Sequence, residues 1–219
     1  TAREAEYLVV ELPEGSTTAE CPVRCVRTAY PSSAFNLQRY KTEKYVMKRV
    51  RGGEAWISNG SADVRSGNKR YRVCLTRDYH LGIFELTQKQ YKLVMNKNPS
   101  DFTTDGAGEK ADARPVNKVV YDEFCNPTGT GGFLVRLCNR TTVRGETIGG
   151  FCLPTEAEWE YACRAGTATK FCCGNTFDNA YGWTTANCTS TMVIGTTTPN
   201  AWGLYDFHGN VYEPCLDWP

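Results

Sequence analysis

Two acidic side chains near the end of the sequence have a spacing that could bind a cation. Asp206 and Glu213 flank Gly209, whose freedom of backbone conformation favours a tight turn. Carboxylate oxygens are the ligands that hard cations such as calcium prefer in proteins. The same carboxylates could instead make hydrogen bonds within a turn and a core, without a metal. The residues alone leave both interpretations open.

Cysteine is the second residue type that could carry chemistry. The sequence has 11 cysteines among 219 residues, and no two of them form a Cys-x-x-Cys pair. Because this content is high for a reducing compartment, we expect an exported protein with some disulfides, located in the periplasm, at the cell surface or outside the cell. The adjacent Cys172 and Cys173 are either a redox element or two side chains on opposite faces of a loop. Neither His80 nor His208 lies near a cysteine cluster in the sequence, which argues against a structural zinc site.

The composition argues against nucleic acid as a partner and against a membrane span. The formal net charge is +1 and the apolar fraction is 41%, so the chain can build a core but has no basic stripe for nucleic acid. No apolar run approaches the ~20 residues that a membrane-spanning helix needs. We therefore expect a folded domain that binds no nucleic acid and has no membrane span.

Capping boxes mark the start of two helices. In each box a threonine is followed three positions later by a residue that can bond back to it, as in Thr87 with Gln90 and Thr155 with Glu158. Apolar residues at helical spacing follow both boxes. The sequence therefore predicts one helix after Thr87 and a second helix over residues 153–166.

Strand patterns precede the first helix. Residues 44–50, 70–76 and 79–86 have strand composition, and we expect the last two segments to pair as a hairpin. Strand-like and turn-forming residues over 1–43 predict an N-terminal arm or strand extension. The remaining residues, 44–219, are predicted to form the main domain.

Two long segments contain specific motifs. They run Leu153-Pro-Thr-Glu-Ala-Glu-Trp-Glu-Tyr-Ala-Cys-Arg-Ala-Gly166 and Pro199-Asn-Ala-Trp-Gly-Leu-Tyr-Asp-Phe-His-Gly-Asn-Val-Tyr-Glu213, the second followed by Leu216-Asp-Trp218. Both resemble signature motifs of the formylglycine-generating enzyme (sulfatase-modifying factor) family. Shorter similarities at Phe84-Glu-Leu-Thr-Gln88 and Arg114-Pro-Val116 extend the resemblance to about residues 70–218.

The resemblance implies a fold and a metal site. The fold would be α+β, of the irregular C-type-lectin-like kind found in formylglycine-generating enzymes, with a twisted antiparallel sheet and two main helices. The metal would be a structural calcium ion. By resemblance, Asp206 and Glu213 would supply side-chain oxygens to it, and Gly209 and Val211 would supply main-chain carbonyls.

The resemblance implies several different functions. Some family members oxidise a sulfatase cysteine to formylglycine with copper, some relatives depend on iron, and others only bind ligands, including variable proteins diversified by retroelements. The catalytic cysteine pair of the oxidases follows the last motif, and this sequence ends at Pro219. We therefore expect no catalytic residue in this chain.

These implications lead to two hypotheses of different classes. The first is an exported, non-catalytic module that binds a protein or glycan ligand or has a structural role. The alternative is a fragment or chain of a copper-dependent oxidase that converts a sulfatase cysteine to formylglycine. In either case a partner chain or C-terminal fragment could complete the sheet, because unpaired strand edges seek a partner.

Overall fold

A computed structural model describes residues 2–15, 18–58, 70–103, 109–125, 131–143, 146–147 and 150–217. The strands are β1 (Tyr7–Glu11), β2 (Cys21–Val26), β3 (Lys44–Val50), β4 (Gly53–Ser58), β5 (Arg70–Leu75), β6 (Tyr79–Gly82), β7 (Thr141–Val143) and β8 (Glu146–Thr147). The helices are α1 (Gln38–Thr42), α2 (Gln88–Met95), α3 (Glu109–Asp112), α4 (Tyr121–Phe124), α5 (Phe133–Arg140) and α6 (Glu156–Arg164).

The main sheet has six strands in the order β6-β3-β1-β2-β7-β8. Its neighbouring strands are antiparallel except for β2 and β7, which run parallel. Strands β4 and β5 form a separate two-stranded antiparallel sheet. This mixed architecture confirms the predicted α+β class. Two main helices were predicted, but α5 is a third helix of the same length as α2.

Residues 1–43 contribute strands to the middle of the main sheet. Strand β1 pairs with β2 on one side and with β3 on the other. Its consecutive residues Tyr7, Leu8, Val9 and Val10 are all buried, because both faces of the strand are covered. The strands β1 and β2 of this region therefore belong to the same sheet as β3.

The predicted hairpin between residues 70–76 and 79–86 is wrong. Strand β5 pairs with β4, whereas β6 pairs with β3. Between them, the Asp78 carboxylate accepts hydrogen bonds from Gly52 N at 2.9 Å and Arg49 Nε at 2.8 Å, which directs the chain towards β3. Alternating apolar residues indicate a strand but do not identify its partner.

Both predicted capping boxes are present. Thr87 Oγ1 accepts a hydrogen bond from Gln90 N at 3.2 Å, and the Gln90 side chain accepts one from Thr87 N at 3.0 Å. Thr155 and Glu158 make the same reciprocal pair, at 3.2 and 2.9 Å. Since Thr155 is the extended residue before the first turn, α6 begins at Glu156, later than predicted.

Two apolar clusters lie on opposite faces of β1. One joins the sheet to α6 and to the last part of the chain, and includes Tyr7, Val9, Phe84, Tyr161, Ala162, Ile194, Leu204 and Tyr205. The other joins the sheet to α2 and α5, and includes Leu8, Val10, Tyr91, Val94, Phe133 and Leu137. The first cluster therefore supports the segment that contains Asp206 and Glu213.

No helix in the described parts of the chain is both long and apolar enough to cross a bilayer.

Candidate functional site

Asp206 lies at the base of the segment 206–213, with only 2% of its surface exposed. Its carboxylate accepts a hydrogen bond from Gly195 N on Oδ2 at 2.7 Å and one from Thr197 Oγ1 on Oδ1 at 2.7 Å. Burial raises the pKa of Asp206, and these two donors and the Lys41 ammonium oppose that rise. The carboxylate therefore fixes the start of the segment to the preceding loop.

Glu85 is a second buried carboxylate at this site, and the sequence analysis did not identify it. It accepts hydrogen bonds from Asn210 Nδ2 at 2.7 Å and from Val211 N at 3.2 Å. Burial raises the pKa of Glu85 well above its usual range, and the Asp206 and Glu213 carboxylates add to the rise. An acidic residue within the apolar run Gly82-Ile-Phe-Glu-Leu86 was the signal that could have revealed it.

Glu213 ends the segment and binds helix α6. Its Oε2 accepts a hydrogen bond from the Trp159 indole Nε1 at 2.6 Å. Although Glu213 is exposed as a whole residue, desolvation of its carboxyl group raises its pKa to about 7, and Asp206 contributes to the rise while Trp159 opposes it. The two long motifs therefore meet at this hydrogen bond.

The turn inside the segment requires glycine. Gly209 has φ +135°, and a Cβ added there would lie 2.0 Å from the Trp183 carbonyl oxygen. Asp206 and Asn210 also have positive φ angles, of 64° and 75°. Such conformations are costly for residues with side chains and persist where surrounding contacts determine them. The hydrogen bonds of Asp206 and Asn210 supply those contacts.

Three carboxyl groups lie close to this segment. Glu85, Asp206 and Glu213 bring three carboxyl groups into one electrostatic environment, and Lys41 acts on Asp206 as a nearby positive charge. In the described residues, no three His, Cys, Asp or Glu side chains are arranged as a metal site. Calcium held by Asp206, Gly209, Val211 and Glu213 therefore stays a prediction.

The structure also shows the state of the cysteines. Every cysteine is a free thiol in the structure. Cys172 and Cys173 lie in a turn next to His208, so a histidine that looked isolated in the sequence does have a cysteine neighbour. Trp218, which belongs to the second motif, lies outside the described residues.

A family model for the sulfatase-modifying factor enzyme 1-like domain matches residues 34–219. The chain belongs to this family. It is 31% identical over 182 residues to the chaperone protein LppX of Paenibacillus barcinonensis, a match that covers 64% of this chain and 62% of that protein. It is 38% identical over 80 residues to the formylglycine-generating enzyme of Mycobacterium tuberculosis, covering 28% of this chain and 25% of that enzyme.

The fold of this family member matches a solved structure as well. Treponema denticola variable protein 1 superimposes with a TM-score of 0.65 and 29% sequence identity, over 80% of this chain and 74% of that one. The match supports the formylglycine-generating-enzyme type of fold that the two motifs implied. The chain spans less than two thirds of the length of either curated relative named above.

Proposed function

We propose that this chain is a non-catalytic module whose rigid segment 206–213 presents side chains to a ligand. One observation supports this proposal most directly. Hydrogen bonds from Gly195, Asn210 and Trp159 fix the acidic side chains around the segment, yet Tyr212 within it is fully exposed. A scaffold that fixes a backbone while one of its aromatic side chains faces solvent is typical of binding loops.

Other exposed apolar side chains supply surface suited to recognition. Leu216 and Val120 are exposed apolar residues, and the Tyr121 hydroxyl donates a hydrogen bond to the Leu216 carbonyl at 3.3 Å. Tyrosine provides a large, stiff contact area at low cost in conformational entropy, and its ring can also stack on a sugar. The ligand classes we propose are therefore a protein surface or a glycan.

The thiols support a binding module over the alternative oxidase. A copper(I) site needs thiolate ligands, and thiolates form where positive charge or hydrogen bonds lower the pKa of a cysteine. Burial instead raises the pKa of Cys172 and of Cys215, each to about 11. Burial also raises the thiol pKa of Cys21, Cys125, Cys152 and Cys163. These surroundings disfavour a thiolate pair in the apo chain.

We also propose that the protein is exported, with calcium bound in a structural role. The high cysteine content supports export, because such a content is uncommon in a reducing cytosol. Fractionation of cells that express the full protein tests this directly. Recovery of the protein with the cytosolic fraction alone would contradict export.

A ligand screen with matched variants tests the binding proposal. The chain is applied to a glycan array and to a displayed peptide library, alongside Tyr212→Ala and the control Tyr30→Ala, which alters another exposed tyrosine. We expect at least one bound class whose binding is lost in Tyr212→Ala and retained in Tyr30→Ala. The proposal fails if no ligand is selected, or if the two variants bind equally well.

A further inference from the structure

A tight turn places two adjacent cysteines at its tip. Phe171 N donates a hydrogen bond to the Gly174 carbonyl at 2.9 Å, and Gly174 N donates one to the Phe171 carbonyl at 3.2 Å. These two bonds leave Cys172 and Cys173 as the central pair of the turn. Both cysteines are partly exposed, so small molecules in solvent can reach the turn.

The two thiols have different surroundings. Cys172 Sγ lies 3.2 Å from His208 Nε2, and the same nitrogen accepts a hydrogen bond from the Cys172 backbone N–H at 3.3 Å. Cys173 Sγ lies 3.8 Å from the Thr176 carbonyl. Burial, and after it the Cys173 side chain, raise the pKa of the Cys172 thiol to about 11, so the thiolate that attacks a disulfide is scarce and the attack is slow. His208 is therefore placed to orient the sulfur of Cys172. The thiol of the adjacent Cys173 is within reach of that sulfur.

Aromatic side chains hold His208 in this position. The rings of Phe171 and Phe177 contact the imidazole edge-on, with centroids 5.6 and 5.9 Å away. Because Nε2 accepts the Cys172 backbone N–H, the neutral ring carries its proton on Nδ1. The Cys172 thiol lies against the same nitrogen and shares its one lone pair with the backbone N–H, and the two contacts together fix where the sulfur lies.

We propose that Cys172 and Cys173 form a reversible thiol–disulfide site that a low-molecular-weight disulfide oxidises. The Cys172 sulfur attacks one sulfur of the small disulfide, which gives a mixed disulfide and releases one small thiol that takes the Cys172 proton. The Cys173 sulfur then attacks the Cys172 sulfur and releases the second small thiol with the Cys173 proton. In total, two protein thiols are oxidised to one disulfide, and one small disulfide is reduced to two thiols.

The geometry makes this disulfide a labile one. Consecutive Cα atoms lie about 3.8 Å apart across a trans peptide, which is shorter than the ~4.4–6.8 Å usual for disulfides. Strained or exposed disulfides are the ones that small thiols reduce readily. The site would therefore follow the redox state of its surroundings, whereas a permanent structural disulfide would not. Its oxidation would also remove the contact of the Cys172 thiol with His208.

Glutathione buffers test the proposal on the full chain. The protein is equilibrated at graded ratios of reduced to oxidised glutathione, alkylated, digested and examined by mass spectrometry. Under reducing conditions the peptide that contains both cysteines should carry two alkyl groups. Under oxidising conditions it should carry none, and its mass should be two hydrogens below that of the unalkylated dithiol. An excess of reduced glutathione should reverse the change.

Two variants make the test specific. In Cys173→Ser, oxidation should stop at a glutathione adduct on Cys172, because the second attack cannot occur. In His208→Asn, oxidation should be about tenfold slower with an unchanged redox midpoint, since His208 positions the sulfur but is not consumed. The proposal is overturned if both cysteines remain alkylated at every ratio, or if Cys172 pairs with the neighbouring Cys163 instead. An unchanged rate in His208→Asn overturns the positioning role.

Discussion

The indole of Trp159 donates a hydrogen bond to the carboxylate of Glu213 at 2.6 Å. Trp159 belongs to helix α6 and Glu213 to the segment 206–213, so one bond joins the two long sequence motifs. Two further bonds strengthen the junction: Glu156 N donates to Asp217 Oδ1 at 2.8 Å, and Leu216 N donates to the Pro154 carbonyl at 2.8 Å. The start of α6 therefore supports the last described residues.

Removing the indole donor should weaken this junction. Trp159→Phe keeps an aromatic ring but loses the N–H, and we expect the free energy of unfolding to fall by about 1 kcal/mol. Denaturant unfolding of Trp159→Phe, Glu213→Gln and the double variant measures the coupling between the two residues. A coupling energy near zero would show that the hydrogen bond does not stabilise the fold.

Replacing the glycine in the turn should be more costly. Gly209→Ala places a Cβ 2.0 Å from the Trp183 carbonyl oxygen at φ +135°, so we expect a loss of at least about 2 kcal/mol in the free energy of unfolding. The control is Gly15→Ala, where φ is +74° and nothing lies within 4 Å of the added Cβ. That control should lose only about 1 kcal/mol. Equal losses would contradict the packing described for the turn.

Calcium should stabilise the native state if the predicted site binds it. A chelator should lower the melting temperature and added calcium should restore it, since an ion bound only by the folded chain stabilises that state by mass action. Glu213→Ala should abolish the difference. The control Trp159→Phe keeps the carboxylate and should retain the response. Identical melting curves with and without chelator, in protein shown to be free of metal, would refute the site.

His80 should make stability depend on pH. Burial lowers the pKa of His80 from its ordinary value of 6.5, partly opposed by the Ala5 carbonyl, whose oxygen lies 2.8 Å from Nε2. As the pH falls, the imidazole of His80 is therefore protonated in the unfolded chain before it is protonated in the folded chain. The contribution of neutral His80 to the free energy of unfolding is present above pH 6.5. It is lost as the pH falls towards the folded-state pKa of His80.

Two measurements check this dependence. In an NMR titration, the His80 ring should titrate below its ordinary value. In denaturant unfolding, lowering the pH from about 7 to about 5 should change the stability of the unaltered chain in a more destabilising direction than that of His80→Gln. Other groups also contribute to the slope: the lowered pKa of His208 acts in the same direction as that of His80, whereas the raised pKa values of Glu85 and Glu213 act in the opposite direction. A His80 titration at or above the ordinary value would contradict the prediction.

Local sequence signals predicted the presence of helices α2 and α6, although α6 begins at Glu156 and not at residue 153. A capping box is decided by residues three positions apart, so Thr87 with Gln90 and Thr155 with Glu158 could be recognised without the fold. The two long motifs likewise indicated the family, because they are long and specific. Capping boxes and sequence motifs both depend on residues that are close together in the sequence.

Features that depend on distant residues were not predicted. The partner of β5 is β4 and not β6, because strand pairing is settled by packing that the alternation of residues does not record. The role of Glu85 arises from its contacts with Asn210 and Val211, which lie far along the chain. The contact between Cys172 and His208 was also not predicted, because it joins residues 36 positions apart in the sequence.

We propose that this family member binds a ligand and does not catalyse the oxidation of cysteine. The most direct measurement is to incubate the chain with copper, oxygen and a sulfatase-type peptide that contains the substrate cysteine. Mass spectrometry follows conversion of the thiol to the aldehyde, with an active formylglycine-generating enzyme as the positive control. We expect the peptide to stay unmodified. Conversion that is lost in Cys172→Ser or Cys173→Ser would contradict the account and would place an active site at the turn beside His208.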